Sequence, residues 1–194
     1  DAVELDVHAT SDGVVVVHHD PDFGGRAIAE MTHADVARVV LAINERVPTL
    51  AAVLDAVAQH GAVYVEIKGS GIEARVVDVI RKCPAPQQCA VHSFDHAMVR
   101  RARALAPELT FGILVEDRAG GDLVAQMRAA HATDVWPHYK LVDSAMVAAI
   151  HDAGGRVITW TVNEERLARR LAAAGVDGLC SDAIPLVRQA LSFE

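Results

Sequence analysis

Short runs of β-branched residues alternate along this chain with longer Ala- and Arg-rich stretches whose apolar positions recur at helical spacing. The first run, residues 2–7, predicts a strand. A second, short strand is expected at 14–18, after the turn Ser11-Asp12-Gly13, whose Asp-Gly pair signals a tight reversal. A helix should open at Thr32, where Thr32-His33-Ala34-Asp35 has the form of a capping box. Another should follow Pro48-Thr49 and run to about Gln59. From there the rhythm is regular. Strands at 62–68, 89–93, 110–115, 133–136, 156–161 and 178–181 each precede a helix. The expected helix starts include residue 72, caps at Asp95, Asp122, Asp143 and Asn163, and a last helix ending near Leu191.

Strands that alternate with helices imply right-handed βαβ units and a parallel sheet covered on both faces. Counting the run at 14–18 as accessory, seven main strands are expected in one domain over residues 1–194. A closed parallel barrel uses eight strands and about 250 residues, whereas a doubly wound open sheet accommodates seven. No Gly-x-Gly-x-x-Gly follows the first strand, so nothing supports a dinucleotide site.

Composition narrows the function classes. Hydrophobic residues make up 52% and charged residues 23% of the 194, which suits a folded globular chain rather than a disordered one. The formal net charge of −8, from 18 Lys and Arg against 26 Asp and Glu, argues against general nucleic-acid binding. No apolar run reaches the roughly 18–20 residues of a transmembrane helix, and no signal peptide opens the sequence. A cytoplasmic location is expected, with Cys83, Cys89 and Cys180 as free thiols. A Cys83–Cys89 disulfide is the lesser alternative.

Residues i and i+2 of a strand share a face. Glu4 and Asp6 therefore point the same way, and His8 follows them on that face. Two carboxylates on an inward face repel each other and lose hydration, so they require a cation or a shared proton. Glu66 and Lys68 end the strand Val63-Tyr64-Val65 in the same manner. Three carboxylates at strand C-terminal ends would form an all-oxygen site for one divalent cation, Mg2+ or Ca2+. The alternative is a set of solvated strand ends with a Glu66–Lys68 pair. His18-His19-Asp20-Pro21, directly after Val14-Val15-Val16-Val17, offers either a general acid or base or a simple turn histidine. His8 is a candidate for substrate contact or for the surroundings of the ion. His92 and His138 are candidates for lining a pocket or for structural roles. Asn163 and Asp182 read as helix N-caps, Trp136 reads as core, and His33, His60, His96, His131 and His151 read as solvent-facing.

Taken together, Val3-Glu4-Leu5-Asp6-Val7, Thr10-Ser11-Asp12-Gly13 and Val16-Val17-His18-His19-Asp20-Pro21 closely resemble the glycerophosphodiester phosphodiesterase family. Further matches follow in the family's order: Val47-Pro48-Thr49-Leu50, Glu66-Ile67-Lys68, Ser93-Phe94-Asp95, Trp160-Thr161-Val162-Asn163, and Gly175-Val176-Asp177-Gly178 with Ser181-Asp182. The resemblance implies an α/β fold, a TIM (β/α)8 barrel. It also implies hydrolysis of glycerol-based phosphodiesters to glycerol 3-phosphate and an alcohol with a divalent cation. On the same ground Glu4, Asp6 and Glu66 are metal ligands, His19 is one of two catalytic histidines, Lys68 contacts the phosphate, and Trp160 walls the pocket for the glycerol or head group. His8 stands with Lys68 and Trp160 as a substrate contact. The implied partner is a small-molecule phosphodiester, with no nucleic acid and no stable membrane insertion.

The sequence departs from the family pattern in one respect. The family's His-Arg-Gly and Glu-Asn-Thr segments occur nowhere in it. The expectation is therefore a barrel whose first βα unit is missing from these 194 residues, with abbreviated loops near Phe23 and Ala42. Two rivals remain at this point: a barrel that binds metal and phosphate ligands without turnover, and a related phospholipase-D-like phosphodiesterase such as a sphingomyelinase-D-like enzyme.

Overall fold

The computed structural model describes residues 2–41, 44–117 and 119–192. Ala42, in the stretch expected to be abbreviated, lies outside the described residues. The chain divides into two compact units, one of residues 1–93 and 100–110, the other of 94–99 and 111–194.

In the first unit the opening β-branched run forms β1 (Ala2–Ala9), and the valine run forms β2 (Val15–Val17). A small hairpin of β3 (Asp22–Phe23) and β4 (Arg26–Ala27) follows. Its loop is Gly24-Gly25, both at positive φ, a conformation that suits glycine and matches the twist of a two-residue hairpin. This hairpin was not anticipated. It occupies the segment read as a shortened loop. Next come α1 (His33–Val36), α2 (Leu50–Val57), β5 (Ala62–Ile67), α3 (Glu73–Lys82) and β6 (Cys89–Ser93).

Thr32 does form the expected capping box, with its hydroxyl 3.2 Å from the Asp35 N–H and the Asp35 carboxylate 3.3 Å from the Thr32 N–H. The helix it starts is only four residues long. Thr49 caps α2. The strand order is β2–β1–β5–β6, antiparallel at the β2 edge and parallel elsewhere.

Strand parity sets what this unit buries. Leu5, Val7, Val63, Val65 and Ile67 share one face of β1 and β5 and are all buried. The helices bury Leu50, Leu54, Val76, Val77 and Ile80. Each such side chain contributes roughly 1.5–3 kcal/mol. A separate cluster of Val16, Ile28, Met31, Val36 and Val47, with Phe23 packed against it, anchors β2 and the segment that follows it.

Helix α4 (His96–Leu105) precedes the second unit's strands, and the Asp95 carboxylate accepts from the N–H groups of Ala97 and Met98 as expected. That unit holds β7 (Thr110–Val115), α5 (Leu123–Ala130), β8 (Asp134–Pro137), α6 (Ser144–Asp152), β9 (Arg156–Thr159), α7 (Glu165–Ala173), β10 (Gly178–Leu179) and α8 (Ile184–Leu191). Its strands run parallel in the order β7–β8–β9–β10. Gly112 permits the close approach of β8, since a Cβ there would sit 3.2 Å from the Trp136 ring, which is buried as expected. Asp122 and Asp143 cap α5 and α6.

Two expected caps are not caps. Helix α7 starts after Glu164 and α8 after Ala183, neither with a side-chain cap. Asn163 instead accepts from Ser181 Oγ (3.1 Å) and the Asp182 N–H (3.0 Å), and donates to Asp182 Oδ2 (3.0 Å). The pair ties the segment after β9 to the segment after β10. The cysteines are free thiols, Cys83 and Cys89 with their sulfurs 3.8 Å apart. Among the described residues no helix is long and apolar enough to cross a membrane.

At the start of β8 and β9, Asp134 is fully buried opposite Arg156, which grips it with two bonds of 2.9 and 2.7 Å. Removing the guanidinium takes both of these charge-assisted bonds from a buried carboxylate. Arg156→Ala is expected to lower stability by about 3 kcal/mol. Arg156→Lys should recover only part of this, because an ammonium cannot engage both oxygens. Urea unfolding checks both.

Candidate active site

The charged residues picked from the sequence converge in the first unit because parallel strands align residues in rows. Asp6 of β1 lies opposite Glu66 of β5, and Glu66 lies opposite His92 of β6. Glu4, two residues before Asp6, shares its face. Oxygens of Glu4, Asp6 and Glu66 all lie within 4.8 Å of one another. Lys68 reaches in from the end of β5, with Nζ 3.5 Å from Asp6 Oδ1 and 3.7 Å from Glu66 Oε1. The donor set is all oxygen, crowded and anionic, and it fits a hard divalent cation.

Electrostatics follow from burial. Glu66 is 7% exposed, and loss of hydration pushes its pKa up to about 8. Lys68 opposes that shift, while the charges of Asp6 and Glu4 and a hydrogen bond with Asp6 reinforce it. A proton on Glu66 is how the cluster tolerates itself in the absence of a cation.

His8 continues the face of Glu4 and Asp6 and is buried, with Nε2 3.3 Å from the backbone oxygen of His19. Burial holds its pKa below the ordinary value, against the raising effect of that carbonyl. Since a carbonyl only accepts, Nε2 is the donor of this contact, which pins the turn that carries His19. That turn follows β2, whose pairing with β1 is extended by the His18 N–H donating to the Asp6 carbonyl at 3.0 Å. His18 packs against Phe23, the rings tilted by 36° with centroids 4.4 Å apart. The His19 side chain is 72% exposed and lies outside the carboxylate cluster, with Nδ1 2.8 Å from Asp20 Oδ1. This hydrogen bond holds the Asp20 carboxyl below its ordinary pKa.

Trp160 belongs to the second unit. Its Nε1 donates to the Trp136 carbonyl at 2.9 Å, and its ring meets Phe94 and His138 edge-on at 5.5 and 5.2 Å. His138 is half-buried there, its pKa lowered by burial and by Lys140. Of the histidines read as solvent-facing, His60 and His131 are exposed. His151 is exposed too while pairing with Asp177 at 2.9 Å, whereas His33 and His96 are half-buried, His96 bonding the Leu114 carbonyl at 3.0 Å. His92, left open between a pocket and a structural role, is 1% exposed with Nε2 3.2 Å from Glu4 Oε1. Its sequence signal was its place at the C-terminal end of a strand, which becomes specific only once the strand pairing is known.

The chain is similar to known proteins over most of its length. Residues 1–186 match the Glycerophosphoryl diester phosphodiesterase family. A glycerophosphodiester phosphodiesterase from Caldanaerobacter subterraneus subsp. tengcongensis is 27% identical over 200 residues, covering 94% of this chain and 82% of that one. One from Bacillus subtilis is 26% identical over 212 residues, covering 92% and 72%. Among solved structures, a phosphodiesterase from Oleispira antarctica in complex with the product sn-glycerol-3-phosphate superposes with TM-score 0.88 at 24% identity, covering 98% of this chain and 84% of that one. The fold class is the α/β, TIM-barrel type that the sequence led us to expect.

The displaced pKa of Glu66 has a measurable consequence in cation-free buffer. The folded state holds the proton up to about pH 8, whereas an ordinary carboxyl releases it near 4.5. Between those values the folded protein binds more protons than the unfolded, so stability falls as pH rises. Thermal melts in EDTA should show this decline between about pH 5 and 9, and Glu66→Gln, which has no proton to lose, should flatten it.

Proposed function

Because the chain belongs to the glycerophosphoryl diester phosphodiesterase family, we propose that it hydrolyses glycerophosphodiesters to sn-glycerol 3-phosphate and an alcohol, using one divalent cation. The observation that carries this reading is the convergence of Glu4, Asp6 and Glu66 within 4.8 Å, with Lys68 beside two of them. Such a cluster is unfavourable for the fold and useful for a reaction that gathers negative charge on phosphoryl oxygens.

Glu4, Asp6 and Glu66 would hold the cation. When bound, it supplies Lewis-acid stabilisation of charge on the phosphoryl group. Lys68 brings a further positive charge on a flexible stem, able to turn from its two carboxylates towards a phosphate oxygen. His19 is the proton carrier of this reading. Its Nδ1 is committed to the Asp20 carboxylate, an arrangement that fixes the tautomer and leaves Nε2 for exchange with the alkoxide leaving group or with the attacking hydroxyl. Exposure of the ring gives Nε2 access to a substrate arriving from solvent.

Glycerophosphocholine with Ca2+ or Mg2+, followed by the appearance of glycerol 3-phosphate, tests the reading. EDTA should abolish turnover and added cation should restore it. His19→Ala should lower kcat by about 100- to 10,000-fold, the usual worth of a positioned acid or base, while leaving cation binding intact. No product with either cation would overturn the hydrolase reading. Full activity in EDTA would overturn the cation, and an active His19→Ala would overturn the histidine's role.

A further inference from the structure

His92 is an imidazole buried within the strand layer, 1% exposed. It lies in one row with Asp6 and Glu66, yet its Nε2 turns to Glu4 Oε1 at 3.2 Å, beside the Tyr64 ring. Glu4 is the least enclosed of the three carboxylates, its side chain 26% exposed against 1% for His92. A glutamate side chain has several accessible rotamers, and repulsion by the Asp6 carboxylate favours those that swing it into solvent. A buried N–H donor holding one of its oxygens opposes that. Hydrogen bonds between a charged acceptor and an enclosed donor are the strong and directional kind.

We propose that His92 is a positioning residue that holds the Glu4 carboxylate against Asp6 and Glu66 and thereby sets the affinity of this cluster for a divalent cation. The inference rests on the cation reading of the preceding section. It assigns His92 no contact with substrate and no proton transfer. Its contribution is geometric, in the way that outer partners of ligating groups fix their orientation.

The test is calorimetric titration of the EDTA-stripped protein with Ca2+ and with Mg2+, using wild type, His92→Phe and His92→Gln. Phe keeps the planar bulk and removes the donor, whereas Gln keeps an N–H at comparable reach. His92→Phe is expected to weaken cation binding about 10- to 100-fold, the usual effect of losing such a partner. His92→Gln should stay much closer to wild type. In turnover with glycerophosphocholine, His92→Phe should need correspondingly more cation and regain a kcat near that of wild type at saturation. Equal affinity in His92→Phe and wild type overturns the proposal. Should that variant fail to fold by circular dichroism, nitrogen-15 spectra of histidine-labelled wild type decide. The Nε2 resonance of His92 is expected to move on cation saturation, and an unmoved resonance overturns the proposal. If wild type binds neither cation, the cation reading itself falls, an outcome distinct from a variant that binds as well as wild type.

Discussion

Most of what this chain can do chemically follows from three carboxylates being held together by the register of two parallel strands. A strand has a side-chain period of two, so once Leu5, Val7, Val65 and Ile67 are committed to the apolar face, Glu4, Asp6 and Glu66 have no other face to occupy. At separations under 4.8 Å, each ionised pair repels by on the order of 3 kcal/mol at an effective dielectric constant of about 20. One lysine against three carboxylates offsets only part of that. A proton on Glu66 removes two of the three repulsive pairs at once. It settles there because Glu66 is the most enclosed of the three, with a side chain 10% exposed against 17% for Asp6 and 26% for Glu4.

The proposed proton carrier obeys a different logic. His19 is not on the strand layer but on the turn after β2, and three separate contacts locate it. The β2 valines pair with β1, the His8 ring reaches the His19 carbonyl, and the Phe23 ring packs against His18. The backbone of the turn is thus fixed by enclosed groups while the imidazole stays in solvent. A rigid base with a free side chain suits a group that must meet a substrate and then release it, since the ordering cost falls on the backbone once, at folding.

Much of this arrangement was legible in the sequence, for reasons that particular residues illustrate. Period-two parity needs no tertiary information, so the common face of Glu4, Asp6 and His8 could be read directly from spacing. The partnership of Glu66 with Asp6 and the row position of His92 depend on strand register, a non-local property that no window of sequence contains. Asn163 and Asp182 show the converse failure. Both are strong N-cap types next to a predicted helix, and local propensity assigns them correctly by type and wrongly by partner, because a side chain from the neighbouring segment offers a better match. The β3–β4 hairpin was missed because strands of two residues carry no periodicity, although Gly24-Gly25 bears the turn signal.

Two treatments of buried carboxylate coexist in the molecule, and the contrast separates scaffold from site. Asp134 is fully enclosed and matched by one guanidinium with two short bonds at the start of β8 and β9, so its charge is neutralised where it lies. The cluster formed by Glu4 and Asp6 within β1 and Glu66 near the end of β5 is the opposite case. Its single lysine stands 3.5–3.7 Å from two of the three carboxylates, longer than the bonds Arg156 makes, and it leaves excess negative charge in place. An arginine, or an apolar residue at position 66 like Val65 and Ile67 beside it, would have made this part of the sheet more stable. Such under-matching costs stability, and it is what the proposed reading asks of the cluster: a site that would take up a cation and then a phosphodiester needs incomplete neutralisation.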